Sequence, residues 1–213
     1  MSELLTRLNP KTARFDIGSG GTQELSDQDI AAALGMVQNK LGGKVLMRMH
    51  CPGMLDWRQL DLDVFDLVRS EYIRRENLRI NDQLRMMLSN GRGTLNVLRG
   101  SLNAGIWPKF HADRYMALVR AVIQEIIHGD VCEVCKGKKK AQLEASGEVI
   151  VCGHCKGTGI EPEPIRRRSK RMGLTHRAFT KAWTDVYRWV YSELMQAQIT
   201  ASSEFRHALG RAA

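Results

Sequence analysis

The chain has 213 residues, 43% apolar and 26% charged, the composition of a globular protein long enough to bury a core and unlike that of a disordered tail. Its 32 Lys and Arg against 23 Asp and Glu leave a net charge of +9, which favours a polyanionic partner. No apolar run reaches bilayer length and residues 1–10 lack the apolar block of a signal peptide, so the expectation is a cytoplasmic protein with no membrane partner.

Residues 1–25 are weakly patterned, carry Gly18, Gly20 and Gly21, and read as a flexible N-terminal arm. Ser26 or Asp27 suits the cap of a short helix through Ile30, Ala31, Leu34 and Val37, which Gly42 and Gly43 are expected to stop. Its 29–35 segment looks like the first half of a helix-turn-helix with no second helix behind it, so only a packing role is expected. After the break at Pro52-Gly53, residues 57–89 are helical in pattern: Leu60, Val64, Leu67 and Val68 share a face that Tyr72, Leu84 and Leu88 continue. Asn90, Gly91 and Gly93 read as a turn, and Leu95, Val97 and Leu98 as a further short helix. Residues 111–128 form the clearest helix of this half, with Tyr115, Leu118, Val119, Val122 and Ile126 on one side and Gly129 at its end. Strand signals are confined to 148–151.

The positive charge is concentrated. Residues 1–130 hold 17 basic and 15 acidic side chains, residues 131–188 hold 13 and 6, and residues 189–213 two of each. Most of the excess thus lies in one stretch, and dense charge is what phosphate neutralisation with counterion release requires. The competing reading is a solvated basic face.

Four of the five cysteines lie in the same stretch. Cys132-Glu133-Val134-Cys135 and Cys152-Gly153-His154-Cys155 are two C-x₂-C pairs separated by 16 residues, the spacing of a four-cysteine zinc site. Each pair offers two thiolates from one tight turn, and two such turns complete a tetrahedral shell. With four protein ligands no position is left for a catalytic water, so one structural Zn²⁺ is expected. Cysteine pairing into disulfides does not suit an intracellular chain, and a redox C-x₂-C does not come in matched pairs. Cys51 stands alone, and His154 between two ligands is an alternative donor.

Pro162 and Pro164 end this module and can start a helix at Ile165. Arg166, Arg167, Arg168, Lys170 and Arg171 crowd residues 165–172. Gly173 and Leu174-Thr175 then read as a turn, and a long helical pattern runs over 176–198. Ser169 and Gly173 let two helices cross closely while Met172, Leu174 and Phe179 supply a shared core, which is helix-turn-helix spacing. On the second helix Phe179, Ala182, Trp183, Val186 and Val190 are expected inside, and His176, Arg177, Thr180, Lys181 and Thr184 on the groove-facing side, with Thr175 as N-cap. Arg177 and Lys181 are candidates for base or phosphate contacts, Arg177 for guanine, and Arg166, Arg167, Arg168 and Lys170 join them as DNA-facing residues. An amphipathic helix bearing ordinary surface charges is the alternative.

The expected fold is therefore mainly α. It comprises the 1–25 arm, a helical body over 26–130, a small zinc ribbon-like module over 131–160, and a helix-turn-helix with a C-terminal helix over 161–213.

In these residues the chain resembles the Q antitermination proteins of lambdoid phages. Cys152-x-x-Cys155-Lys156-Gly157-x-Gly159, preceded by a second C-x₂-C, is similar to that family's zinc module. Leu174-Thr175, Phe179-Thr180-Lys181 and Tyr187 are similar to its DNA-binding helix, and Leu25-Ser26, Asp29, Ala32-Ala33 and Gly35-Met36 to its early segment. The stretch between the zinc module and Leu174 is shorter and more basic here. The resemblance implies a transcription antiterminator, not an enzyme, acting in the bacterial host cytoplasm. Such a protein binds a double-stranded DNA element overlapping a phage late promoter. It joins paused bacterial RNA polymerase holoenzyme with its sigma factor still bound, then acts at the RNA exit channel so that terminator hairpins do not form. The 26–130 body would then contact polymerase and sigma.

A repressor or activator with the same zinc and helix-turn-helix parts fits the motifs as well. The C-x-x-C-x-G-x-G repeats of J-domain co-chaperones fit less well: only the second copy is complete and no His-Pro-Asp tripeptide is present. No Gly-rich phosphate loop, nucleophile elbow or His-Glu-x-x-His motif suggests catalysis, and His111, Asp113 and His128 are expected at the surface.

Overall fold

A computed structural model of the chain describes residues 27–50, 57–88, 107–138, 140–142 and 149–212, and these are mainly helical. The N-terminal arm, Cys51, the turn at Asn90 and the short helix expected around Leu95 lie outside the described residues. In chain order the elements are α1 (Asp27–Gly35), α2 (Lys40–His50), α3 (Trp57–Leu88), α4 (Ala112–His128), β1 (Lys140–Gln142), β2 (Val149–Val151), α5 (Ile165–Arg171) and α6 (His176–Ala178). A π-helical turn (Phe179–Trp183) and α7 (Thr184–Ala212) follow without a break. They form two compact units. The described residues within 1–61, 123–162 and 191–213 make one; those within 62–122 and 163–190 make the other.

In the first unit, Ile30, Ala33, Leu34 and Val37 recur at three and four residues, which places them on one face of α1 and its exit. They pack with Leu46, Ala201, Phe205, Ala208 and Leu209. Gly42 and Gly43 do not stop a helix, contrary to expectation: both lie in the first turn of α2. Asn39 caps that turn, its side-chain carbonyl accepting the Gly42 N–H at 2.8 Å. The Glu204 carboxylate accepts the Gln38 and Asn39 N–H groups at 2.8 and 2.9 Å. A glycine in a helix costs about 1 kcal/mol relative to alanine. At Gly42 the packing requires it, because a Cβ there would run into the Ala197 carbonyl and the Ala201 methyl.

The second unit is organised by aromatic rings. Phe110 stacks on Tyr115 with centroids 4.7 Å apart, and Phe65, Tyr72 and Trp183 close around this pair at 5.2–5.9 Å. Tyr115 is buried, its hydroxyl donates to the Pro108 carbonyl at 2.7 Å, and burial raises its pKa. Trp107 meets Trp189 at 5.3 Å and carries the Arg75 guanidinium over its ring at 4.4 Å.

Along α3 the buried face ends sooner than its periodicity predicts. Val64 and Val68 are inside, whereas Leu84 and Leu88 are 50% and 84% exposed. Ion pairs of Glu71 with Arg74 and Arg75, and of Glu76 with Arg79, lie along this part of the helix at three- and four-residue spacing.

Candidate metal centre and nucleic-acid interface

The two C-x₂-C turns are copies of one another. Val131, Cys132, Cys135, Lys136 and Gly137 recur twenty positions on as Val151, Cys152, Cys155, Lys156 and Gly157. Lys136 and Gly137 have φ of 48° and 78°, and Lys156 and Gly157 of 53° and 80°. Two successive left-handed residues curl the chain back on itself after each second cysteine, and glycine at the second position takes this without a Cβ penalty. The same reversal is closed by Lys138 N–H donating to the Cys135 carbonyl at 2.9 Å and Thr158 N–H to the Cys155 carbonyl at 3.1 Å. It also brings the Gly159 N–H to the Cys155 sulfur at 3.3 Å.

Between the turns β1 and β2 pair antiparallel, Lys140 opposite Val151 and Gln142 opposite Val149; β2 lies where a strand was expected, and β1 was not foreseen. At the base of the module Val131 bridges Ile160, Cys132 N–H donates to the Gly159 carbonyl at 3.0 Å, and Glu161 N–H to the Asp130 carbonyl at 2.7 Å.

These contacts bring all four cysteines together. Their sulfurs are buried and lie within 4.8 Å of one another, with Cys135 and Cys155 3.7 Å apart. A tetrahedral ion with metal–sulfur bonds of about 2.3 Å separates its ligands by about 3.8 Å, so the cluster has the dimensions to hold one metal ion. Its electrostatics agree. Backbone N–H groups of Cys135 and Val134 favour the Cys132 thiolate, yet burial and the neighbouring thiols push its pKa up to about 11. At Cys155 burial is outweighed by the Gly159 and Gly157 N–H groups and by the Cys135 and Cys152 thiols, which lower it to about 6. Backbone N–H groups thus favour thiolate in this pocket, while burial opposes it.

His154 is exposed, and with Cys132 and Glu161 it forms a second group whose possible ligand atoms lie within 4.8 Å of one another. Its Nε2 contacts Glu161 at 2.5 Å, which raises the imidazole pKa and lowers that of the carboxyl. The other Glu161 oxygen accepts the Glu133 N–H at 3.2 Å. Glu161 follows both cysteine pairs in sequence, and nothing in the cysteine spacing marks it.

In the second unit α5 starts at Ile165 behind Pro164, as expected, and ends in a Schellman motif. The Gly173 N–H donates to the Lys170 carbonyl and the Leu174 N–H to the Ser169 carbonyl, with Gly173 at φ 64°. Ser169 and Met172 are buried beside this turn, and α5 packs against α6 and the π-helical turn. Thr175 caps the next helix, its Oγ1 accepting the Ala178 N–H at 3.2 Å.

His176, Arg177, Thr180 and Lys181 are exposed, and so are Arg166, Arg167 and Lys170. Arg168 is half-buried with its guanidinium 5.0 Å over the Tyr187 ring. Arg171 pairs with buried Glu163 at 2.5 Å, and Arg167 reaches the same oxygen at 3.7 Å. Part of the basic run is therefore engaged within the fold.

The inner face also differs from the expectation: Phe179, Trp183, Val186, Tyr187 and Val190 are buried, but Ala182 is exposed. The reason is the π-helical turn, in which Thr184 N–H reaches back five residues to the Phe179 carbonyl. The wider turn keeps Phe179 and Trp183 inside and rotates Ala182 out. Thr184 is half-buried, its hydroxyl donating to the Phe179 and Thr180 carbonyls at 3.3 and 3.4 Å. His111, Asp113 and His128 are exposed on and beside α4. No described helix is long and apolar enough to cross a membrane.

No model of a known protein family matches the chain, and no curated protein matches it significantly.

Proposed function

We propose that the protein is a phage late-gene transcription antiterminator of the Q type, with a structural zinc ion in the four-cysteine site and a helix-turn-helix that binds promoter DNA. The observation that carries the DNA-binding part is the exposed row of Arg177, Thr180 and Lys181 behind the Thr175 cap, preceded by exposed Arg166, Arg167 and Lys170. A capped helix start with outward Arg and Lys is how such helices meet phosphates and base edges.

Zinc fits four thiolates with no open position, and its role is to order a polar module that has little apolar core of its own. Cys132, Cys135, Cys152 and Cys155 hold it. Antitermination itself rests on the sequence resemblance in the cysteine module, the 174–187 segment and the 25–36 segment. The partners in this reading are the promoter element and bacterial RNA polymerase holoenzyme with its sigma factor, and no catalytic step belongs to this chain.

The test is single-round transcription from the cognate late promoter, with a terminator downstream and the purified protein added. Readthrough that depends on the promoter-proximal DNA element is expected. Footprinted promoter DNA without readthrough would instead make the protein a zinc-containing repressor or activator.

A further inference from the structure

The cysteine module leaves aliphatic side chains in solvent. Val149 and Val151 are 60% and 61% exposed on a strand of three residues. Residues directly opposite in an antiparallel pair share a face, so the Lys140↔Val151 and Gln142↔Val149 register puts both valines and Lys140 on one side of the hairpin. The valine face continues onto the second cysteine turn, because a Cβ at Gly157 would sit 3.1 Å from Val151 Cγ1. Lys156, next in the chain, is exposed. The first turn repeats the arrangement: Val131, 62% exposed, stands over Gly137 beside exposed Lys136.

We infer that this valine face docks another protein, one that presents an apolar centre ringed by carboxylates. Single exposed valines are ordinary, but two on one side of so short a strand form a surface that water solvates poorly. The lysines at its margin set the sign of the partner, since a rim of one charge selects the opposite charge and rejects its own. A second copy of this chain would bring lysines against lysines, which disfavours self-association through this face. Nucleic acid matches the lysines but not the valines. Sequence-tolerant binding of bases relies on aromatic side chains for stacking, and residues 131–160 contain no Phe, Tyr or Trp. The inference rests on the antiterminator reading for the partner's identity: the acidic surface then belongs to RNA polymerase holoenzyme.

The experiment uses full-length, metal-loaded protein and purified bacterial RNA polymerase holoenzyme. The double variant V149E/V151E should keep one metal ion per chain and its promoter-DNA affinity, yet bind polymerase about ten-fold more weakly and lose readthrough in proportion. Lys140→Glu should weaken polymerase binding and Lys140→Arg should not. If the double glutamate variant loses its metal, V149S/V151S takes its place with the same expectation at smaller amplitude.

Wild-type readthrough that these variants leave unchanged overturns the docking surface and spares the antiterminator reading. A wild-type protein that neither binds polymerase nor reads through a terminator overturns that reading, and this inference with it. Two further results would overturn the docking surface while polymerase binding stays intact. V149S/V151S losing affinity for single-stranded RNA would assign the face to RNA, and its converting a dimer to a monomer would assign it to a second copy.

Discussion

One carboxylate ties the two cysteine turns together: Glu161 Oε1 lies 2.5 Å from His154 Nε2 in the second turn, and Oε2 accepts the Glu133 N–H of the first. Groups around a metal shell hold the ligating residues in place, and losing one typically costs about 10–100-fold in metal affinity. Glu161→Ala should therefore release metal to a chelator about ten-fold faster than wild type, measured with a colorimetric dye, while Glu161→Gln, which keeps an acceptor, should fall between. Release at the wild-type rate from Glu161→Ala would show that the turns hold each other without this clasp.

Removing the metal should have a local effect. The module's apolar side chains are mostly outside, whereas the cluster of Ile30, Leu46 and Phe205 is independent of the cysteines. Hydrogen exchange after chelation should show loss of protection over residues 131–138 and 149–160, with α1 and α2 still protected. Unchanged protection in the module would remove the metal from its folding.

Two adjacent glycines should respond oppositely. Gly42→Ala drives a methyl into the Ala197 carbonyl and should destabilise the protein by about 1–3 kcal/mol. At Gly43 a Cβ would meet only Val37 Cγ1 at 3.6 Å, so Gly43→Ala should be neutral or gain up to about 1 kcal/mol from helix propensity. Urea denaturation of the two variants separates close packing from conformational preference.

Arg177 and Lys181 should be distinguishable on DNA. If Arg177 reads guanine, Arg177→Ala costs about 1–3 kcal/mol on the promoter element and little on unrelated DNA. If Lys181 contacts a phosphate, Lys181→Ala should weaken both and reduce the salt slope by about one. Equal loss on both DNAs for Arg177→Ala would make it a phosphate contact as well.

The acid limb of stability should contain a contribution from Glu71. Hydrogen bonds from Arg74, and then from Arg75, hold its carboxyl below the ordinary value against an opposing effect of burial. A lowered carboxylate pKa stabilises the fold above the unfolded value, and this is lost as pH falls through the folded one. Because Arg74 is solvent-exposed, Glu71→Gln should cost under about 1 kcal/mol at pH 7 and nothing at a pH below the folded pKa. A cost that persists at such acidity would assign the effect to packing.

The local chemistry of this chain was legible in its residue order. Three- and four-residue apolar spacing marked α1, α3 and α4, and the C-x₂-C spacing marked the four thiols. Pro164, Gly173 and Thr175 marked a helix start, a helix stop and a cap. Each of these signals works within about a turn of helix or a single tight loop, so neighbouring residues suffice to specify it.

What the tertiary structure decided depends on contacts between residues far apart in sequence. Gly42-Gly43 reads as a stop, yet both lie inside α2, where the Ala197 backbone leaves room for no side chain at Gly42. Leu84 and Leu88 continue an apolar stripe that the described fold does not bury. Ala182 sits at an inward position by α-helical counting. Trp183 packs on Tyr115 and Phe179 on Tyr187, which keeps both rings inside a wider π-helical turn and leaves Ala182 facing out. Glu161 joins two turns twenty residues apart only through folding. Helical periodicity and ligand spacing are properties of the chain alone; which face is covered, where a backbone passes, and which charges are already engaged are set by what packs against them.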